Sequence, residues 1–275
     1  MDLIVFDLDG TLLDADSTIS DYTAETLALL RERGIAYTVA TGRARHGAAE
    51  ILAPHGFVLP HVYKNGVMVW RPADLAFTDH QHLDASEVNR ILGAADAQGL
   101  TPFLSTLEVD GTHGIYHSTP HTKHERDLAA HFASRRFVRM APLEALPPDA
   151  EISSISALGP PGPVSALEAL ADETPGLVAF SGTALEGDHL RWIDVHHEDG
   201  TKGNAVARLR SELGALRIVC FGDSDNDLSM FAIADEAYAP SNALDVVQAA
   251  ATSIIDHHDE DGVARFLRER FDLRD

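Results

Sequence analysis

Two short apolar runs, Leu3-Ile4-Val5-Phe6 and Ile218-Val219-Cys220-Phe221, each end in a cluster of acidic residues. Continuous apolar runs of this length read as strands buried on both faces, the pattern of a parallel sheet. After the first run, Ser20 or Asp21 caps a predicted helix through Thr26, Leu27, Leu29 and Leu30 that ends near Gly34. A strand over residues 35–40 then leads into Thr41-Gly42-Arg43, and a helix is expected from about Arg45 to Ala53. Strand, helix, strand is the unit of a parallel sheet. A short strand over 57–59 follows, and Asn65-Gly66 predicts a type I′ hairpin turn into Val67-Met68-Val69-Trp70. The second run, taken as a strand over 216–221, precedes a helix carrying Leu228, Met230 and Phe231. Two more strand–helix units are expected, from residues 237–239 with a helix from Asn242, and from 253–255 with a helix from Asp261. The predicted fold is α/β, a doubly wound parallel sheet whose ligands bind beyond the carboxyl ends of its strands.

From about His82 the texture changes. A helix over 85–98 is followed by strands near 102–107 and 114–117, a polar, histidine-rich stretch over 117–131, a strand over 151–158, a helix over 164–171 and a strand over 177–181. Pro142, Pro147, Pro148, Pro160, Pro161 and Pro163 punctuate these elements rather than forming a low-complexity tract. The pattern predicts an α+β domain over residues 82–187 inserted into a core of 1–81 and 188–275, with the Leu190–Val195 strand at the return crossing. His113, His117, His121, His124 and His131 invite a zinc reading, but no cysteine joins them and Pro120 interrupts them, so a loop facing solvent or substrate is the stronger expectation.

Composition narrows the function. At 275 residues the chain is long enough for two domains. A net charge of −22 opposes any nucleic-acid partner. No apolar run approaches the roughly 20 residues of a membrane span. No basic region or cleavage site precedes the first strand, so the expected location is the cytoplasm. Cys220, the single cysteine, sits in an apolar run and reads as a packed core thiol.

The chemistry lies in the acidic clusters. In Asp7-Leu8-Asp9-Gly10-Thr11 the carboxylates are spaced i, i+2, which puts both on one face of an extended segment. Asp7 can then attack a phosphorus while Asp9 protonates the leaving oxygen and later activates water; an Asx turn after a strand is the structural alternative. Thr41-Gly42 suits either anion binding or a helix N-cap, with equal weight from the triplet alone. Lys202 opens a predicted helix, where a cation opposes the macrodipole and so favours an anion-binding role. Gly222-Asp223-Ser224-Asp225-Asn226-Asp227 repeats the strand-end acidic arrangement. Two unit charges about 4 Å apart repel by roughly 4 kcal/mol at an effective dielectric near 20. Asp7, Asp9, Asp223 and Asp227 converging on one sheet edge therefore call for a divalent cation, and an all-oxygen donor set fits Mg²⁺.

The ordered set Asp7-Leu8-Asp9-Gly10-Thr11, Thr41-Gly42-Arg43, Lys202-Gly203 and Gly222 to Asp227 resembles the haloacid dehalogenase-like (HAD) superfamily. The insertion between the second and third motifs is similar to the C2 cap class and to Cof-like sugar-phosphate phosphatases. Lys64-Asn65-Gly66, Ser241-Asn242-Ala243 and Asp261-Gly262-Val263-Ala264 match as well, while Pro240 departs from the methionine usual before the Asn-Ala pair. The resemblance implies Asp7 as nucleophile and Asp9 as acid/base. It implies Mg²⁺ on Asp7, the Asp9 carbonyl and Asp223 with Asp227 in support, and phosphate held by Leu8, Thr41, Gly42, Lys202 and Asn226. Arg43, Asn65 and Arg191 are candidate substrate contacts. The implied activity is hydrolysis of a small phosphorylated metabolite, a sugar phosphate, with specificity set by the cap, by a monomer or small homo-oligomer. A phosphomannomutase-like transferase and a non-catalytic sugar-phosphate sensor are the competing readings.

Overall fold

The computed structural model describes residues 2–107, 113–135, 138–184 and 187–273, which form two compact units. The first unit joins Met1–Asp79 to Thr201–Asp275, and the second is His80–Gly200. In chain order the strands and helices are β1 (Asp2–Phe6), α1 (Asp21–Glu32), β2 (Ala36–Val39), α2 (Arg45–Leu52), β3 (His61–Tyr63), β4 (Met68–Arg71), β5 (Ala76–His80), α3 (Ala85–Ala97), β6 (Phe103–Leu107), β7 (His113–His117), α4 (Lys123–Ala133), β8 (Val138–Pro142), β9 (Ile152–Gly159), α5 (Pro161–Asp172), β10 (Leu177–Ala184), β11 (Gly187–His197), α6 (Lys202–Leu213), β12 (Arg217–Phe221), α7 (Leu228–Phe231), β13 (Glu236–Pro240), α8 (Asp245–Ala250), β14 (Ser253–Ile255) and α9 (Gly262–Arg270). Among the described residues, no helix is long and apolar enough to cross a membrane.

The first unit is built on a five-stranded parallel sheet ordered β14-β13-β12-β1-β2. Period-2 alternation sends Leu3 and Val5 of β1 to one face, where they pack with Ala205, Val206 and Leu209 of α6, Met230 and Val247. Phe6 and Phe221 point the other way, and their rings pack against Tyr37, Tyr238 and Phe266. Both faces are thus covered, which is why β1 and β12 carry unbroken apolar runs. Ser20 caps α1 by accepting from the Thr23 N–H at 3.0 Å, and Gly34 takes the left-handed conformation (φ +68°) that ends it. Cys220 is fully buried in this core.

The short strand expected at 57–59 falls instead at His61–Tyr63, where β3 pairs antiparallel with β4 in a three-stranded β3-β4-β5 sheet and bridges β2's end through Ala40 and Val62. Pro60 breaks the run, so the strand begins only after it. The following turn contains three positive φ values, at Lys64 (+48°), Asn65 (+59°) and Gly66 (+112°). Gly66 is required twice over, because a Cβ there would lie 2.1 Å from the Thr201 carbonyl oxygen.

The second unit holds a six-stranded sheet ordered β10-β11-β9-β6-β7-β8, antiparallel except for the β7–β8 pair. Leu104, Tyr116, Ile155, Ala157, Ile193 and Val195 form its main core with residues of α3 and α5. β11 pairs with β10 and β9 and so belongs to this sheet, although Leu190–Val195 reads from sequence as lying past the return to the core. The histidine-rich stretch expected as a loop contains α4. Its N-terminus is a capping box: Thr122 accepts from the Glu125 N–H at 3.2 Å, and Glu125 accepts from the Thr122 N–H at 2.7 Å. Glu125 also accepts from the Thr101 N–H (2.9 Å) and is buried, which ties α4 to the loop before β6.

Candidate active site

Parallel pairing of β1 with β12 places Phe6 opposite Phe221, so the residues that follow each strand emerge side by side. The Asp7 N–H donates to the Phe221 carbonyl at 2.9 Å, which continues the ladder one step and sets Asp7 beside Gly222 and Asp223. The chain then turns back on itself, closed by the Leu13 N–H donating to the Leu8 carbonyl at 2.9 Å. Gly10 takes φ +71°, and a Cβ there would lie 2.5 Å from Asp223 Oδ2; only glycine allows the two acidic motifs to approach this closely. The Asn242 side-chain amide holds the Gly10 carbonyl at 2.8 Å, and the Thr11 hydroxyl donates to Asp223 Oδ1 at 3.3 Å.

The carboxylates of Asp7, Asp223 and Asp227 converge, each offering an oxygen within 4.8 Å of the others. Lys202, the first residue of α6, is buried among them and donates to Asp7 Oδ1 at 2.6 Å and Asp227 Oδ1 at 2.7 Å. The other Asp227 oxygen accepts the backbone N–H groups of Asp223 (2.9 Å) and Ser224 (3.0 Å). Asp227 therefore orients both Lys202 and the Asp223 loop, while Asp7 and Asp223 keep an oxygen that Lys202 does not hold. Gly222 permits this arrangement, since a Cβ would fall 2.4 Å from Asp227 Cγ.

The charges record the crowding. Burial raises the Asp7 carboxyl well above its ordinary range; Lys202 pulls against this, and Asp227 and Asp223 add to it. Burial also lifts Asp223, to about 6, with Asp227 pushing the same way against Lys202, Ser224 and Thr11. Burial alone would lower the Lys202 ammonium, but Asp227 and Asp7 together hold it well above its usual value. One cation faces three carboxylates, and the surplus negative charge is what a divalent, oxygen-preferring cation would neutralise. The donor set present thus fits Mg²⁺.

Asp9 lies apart from this group. Its half-exposed carboxylate is gripped in bidentate fashion by Arg43, with Nε donating to Oδ2 at 2.7 Å and Nη2 to Oδ1. That hydrogen bonding raises the Arg43 guanidinium above its ordinary value. Arg43 also donates to the Gly47 carbonyl at 2.9 Å. Thr41 is buried, its hydroxyl accepting the Arg43 N–H at 3.1 Å, so it braces the turn between β2 and α2. The Lys64–Gly66 turn is bonded to that loop, with the Lys64 N–H on the Arg43 carbonyl and the Asn65 N–H on the Thr41 carbonyl, both 3.0 Å. The Asn226 side chain donates to Asn65 Oδ1 at 2.9 Å, and a Cβ on Gly42 would lie 3.0 Å from the same oxygen. Thr41, Gly42, Asn65 and Asn226 therefore form one polar wall. The Leu8 side chain is fully buried, which leaves only its backbone to meet a ligand.

Arg191 belongs to the second unit, where Ser165 (3.2 Å), Ser181 and Glu168 (3.7 Å) engage its guanidinium. Sequence reading passed over the supporting roles of Thr11, Ser224 and Asn242. Each is a small polar residue inside a quoted motif, and only the register of β1 against β12 shows what each one holds.

The family model for haloacid dehalogenase-like hydrolases matches residues 4–267 of the chain. Among curated proteins, the chain is similar to a 5-amino-6-(5-phospho-D-ribitylamino)uracil phosphatase of Bacillus subtilis, 28% identical over 283 residues that cover 98% of each chain. It is also similar to a pyridoxal phosphate phosphatase of Escherichia coli, 25% identical over 281 residues covering 96% of this chain and 97% of the other. Among solved structures it resembles a HAD subclass IIB sugar phosphatase, with a TM-score of 0.78, 18% identity and full coverage of both chains.

Proposed function

Since the chain belongs to the haloacid dehalogenase-like hydrolase family and is an enzyme related to that family's phosphatases, we propose that it is a Mg²⁺-dependent phosphatase of a small phosphorylated metabolite, a sugar phosphate, working through an aspartyl-phosphate on Asp7. The observation that carries this reading is the convergence of Asp7, Asp223 and Asp227 around buried Lys202 at the carboxyl ends of β1 and β12.

In this reading Lys202 holds Oδ1 of Asp7 and leaves Oδ2 to attack the phosphorus, which forms the acyl-phosphate and breaks the bond to the leaving oxygen. Asp9 gives that oxygen a proton, then takes one from the water that hydrolyses the intermediate. Mg²⁺, held by Asp7, the Asp9 carbonyl and Asp223, would supply the charge that lets a phosphate dianion approach three carboxylates. Asp227 keeps Lys202 and the Asp223 loop in place. Thr41, Gly42, Asn226 and the Leu8 backbone supply donors to the phosphoryl oxygens. Asn226 Oδ1 is buried without a partner among the described residues. Turning the Asn65 and Asn226 amides end for end preserves their mutual bond and presents the Asn226 N–H₂ group to the phosphate. Every one of these groups grips the phosphoryl end, so choice among leaving groups falls to residues outside the set, and we assign it to the inserted unit.

Phosphate release from a panel of hexose and pentose phosphates, pyridoxal phosphate, a phosphoribitylamino-uracil and a phosphopeptide, with and without Mg²⁺, tests the proposal. Sugar phosphates should lead the ranking, and activity should vanish on chelation. Full activity after exhaustive chelation would remove the metal from the reading, and a phosphopeptide preference would remove the substrate class.

A further inference from the structure

Arg45 opens α2, and its guanidinium lies over the Trp70 ring, 3.8 Å from the centroid. Among the described residues it has no ion pair and no hydrogen bond, so the five N–H donors of its guanidinium lack acceptors. Elsewhere in this chain of net charge −22, Arg71, Arg210, Arg217 and Arg270 each meet a carboxylate. Burial lowers the Arg45 guanidinium somewhat, but an arginine stays charged at any physiological pH.

Next to this cation is a cavity of about 170 Å³ within the first unit, walled by Leu52, Phe57, His61, Tyr63 and Trp70 together with Arg45. Its size is close to the roughly 150 Å³ apolar cavity that accepts a benzene molecule. The aromatic walls meet edge to face: Phe57 with His61 at 86° and His61 with Tyr63 at 85°. The polar atoms of His61 and Tyr63 are already engaged. His61 Nδ1 bonds the Tyr63 hydroxyl at 3.0 Å, and Nε2 faces the Phe57 carbonyl at 3.1 Å. Burial pushes His61 down to about 4, so it is neutral, and burial raises the Tyr63 phenol, which stays protonated. The cavity therefore offers an aromatic interior and one charged group, a planar cation that favours a planar, bidentate anion. None of its walls belongs to the Asp7, Lys202, Asp223 and Asp227 cluster.

We propose that this cavity is a binding site for a small aromatic carboxylate, with the ring seated among Phe57, Tyr63 and Trp70 and the carboxylate paired with Arg45. Trp70 is its built-in reporter, because the chain has two tryptophans and Trp192→Phe leaves Trp70 alone. In that background, benzoate should change Trp70 emission saturably, whereas benzylamine and benzyl alcohol should not. Arg45→Gln should weaken benzoate binding at least tenfold, and Arg45→Lys should recover part of the loss. Ala49→Phe, which fills the cavity from α2, should abolish the response in a protein with an unchanged circular dichroism spectrum. A missing saturable response to benzoate, an equal response to benzyl alcohol or benzylamine, or undiminished affinity in both Arg45→Gln and Ala49→Phe would each overturn the assignment. Phosphatase activity is not the readout, so the outcome is independent of the proposed reaction.

Discussion

The first unit contains two ion-pair arrangements, built on carboxylates two residues apart, Asp7 and Asp9, and burial makes them different objects. Lys202 joins Asp7 and Asp227 where all three are shielded from water, at 2.6 and 2.7 Å. Arg43 joins Asp9 at a site where the Asp9 side chain is 56% exposed. A buried pair that loses one partner leaves a charge with no solvent to take its place, at a cost of about 3–5 kcal/mol. An exposed pair exchanges its partner for water at roughly 0.2–1 kcal/mol. The first is therefore fixed in place and the second can be released. This division suits the proposed roles, since a nucleophile benefits from a single aim while an acid/base must turn between leaving group and water.

Four substitutions press on this comparison. Asp7→Asn should lower turnover by about 10⁴-fold or more while the far-ultraviolet spectrum stays native, because the carboxamide can still accept from Lys202 but cannot form the acyl-phosphate. Near-wild-type turnover in this variant would end the covalent reading. Lys202→Met should cost about 3–5 kcal/mol in a urea melt, since it strands Asp7 and Asp227; a loss under 1 kcal/mol would mean that the cluster is not a fixed structural unit. Asp223 carries a pH signature. Its carboxyl titrates near 6 in the fold against 3.8 when unperturbed, so between these values the native state holds the proton that the unfolded chain has released. The contribution is therefore lost as pH rises, and the metal-free melting temperature should fall between pH 4 and pH 6. Asp223→Asn should flatten that fall and raise the melting temperature at pH 7.5 by a few degrees, about 2–4 °C per kcal/mol. Mg²⁺ should stabilise the parent at pH 7.5 but not this variant. Arg43→Lys should be the mildest change, within about 1 kcal/mol in stability. If it instead melts as early as Lys202→Met, the two ion pairs are not different in kind.

How much of this could be read from the sequence depended on how local the signal was. The strands β1 and β12 were legible because burial on both faces removes polar residues from the whole run. The acidic motifs were legible because charges directly after such a run have few structural uses. α4 was not, because Leu128 and Phe132 are its only large apolar residues and leave little helical periodicity to read; yet the Thr122–Glu125 capping box is a start signal printed in the sequence. β11 was recognisable as a strand, but nothing in the alternation of Leu190 to Val195 says which sheet it joins, since pairing partners are set by residues far away. The Arg43–Asp9 pair was invisible for the same reason: both residues were named, but only the packing of the β2–α2 loop brings them together.

The register of β1 against β12 also bears on how the protein is made. Asp7 and Lys202 lie 195 residues apart in the chain. At the usual 5–20 residues per second of synthesis, the first acidic strand waits about 10–40 s for its neighbour. The continuous segment His80–Gly200 emerges during that interval and has its own core, so it can fold while the first sheet is still open. Lys202 precedes β12 in the chain. By the time β12 docks and seals Asp7 from water, its counter-ion has already been synthesised, and the nascent chain need never bury that carboxylate alone.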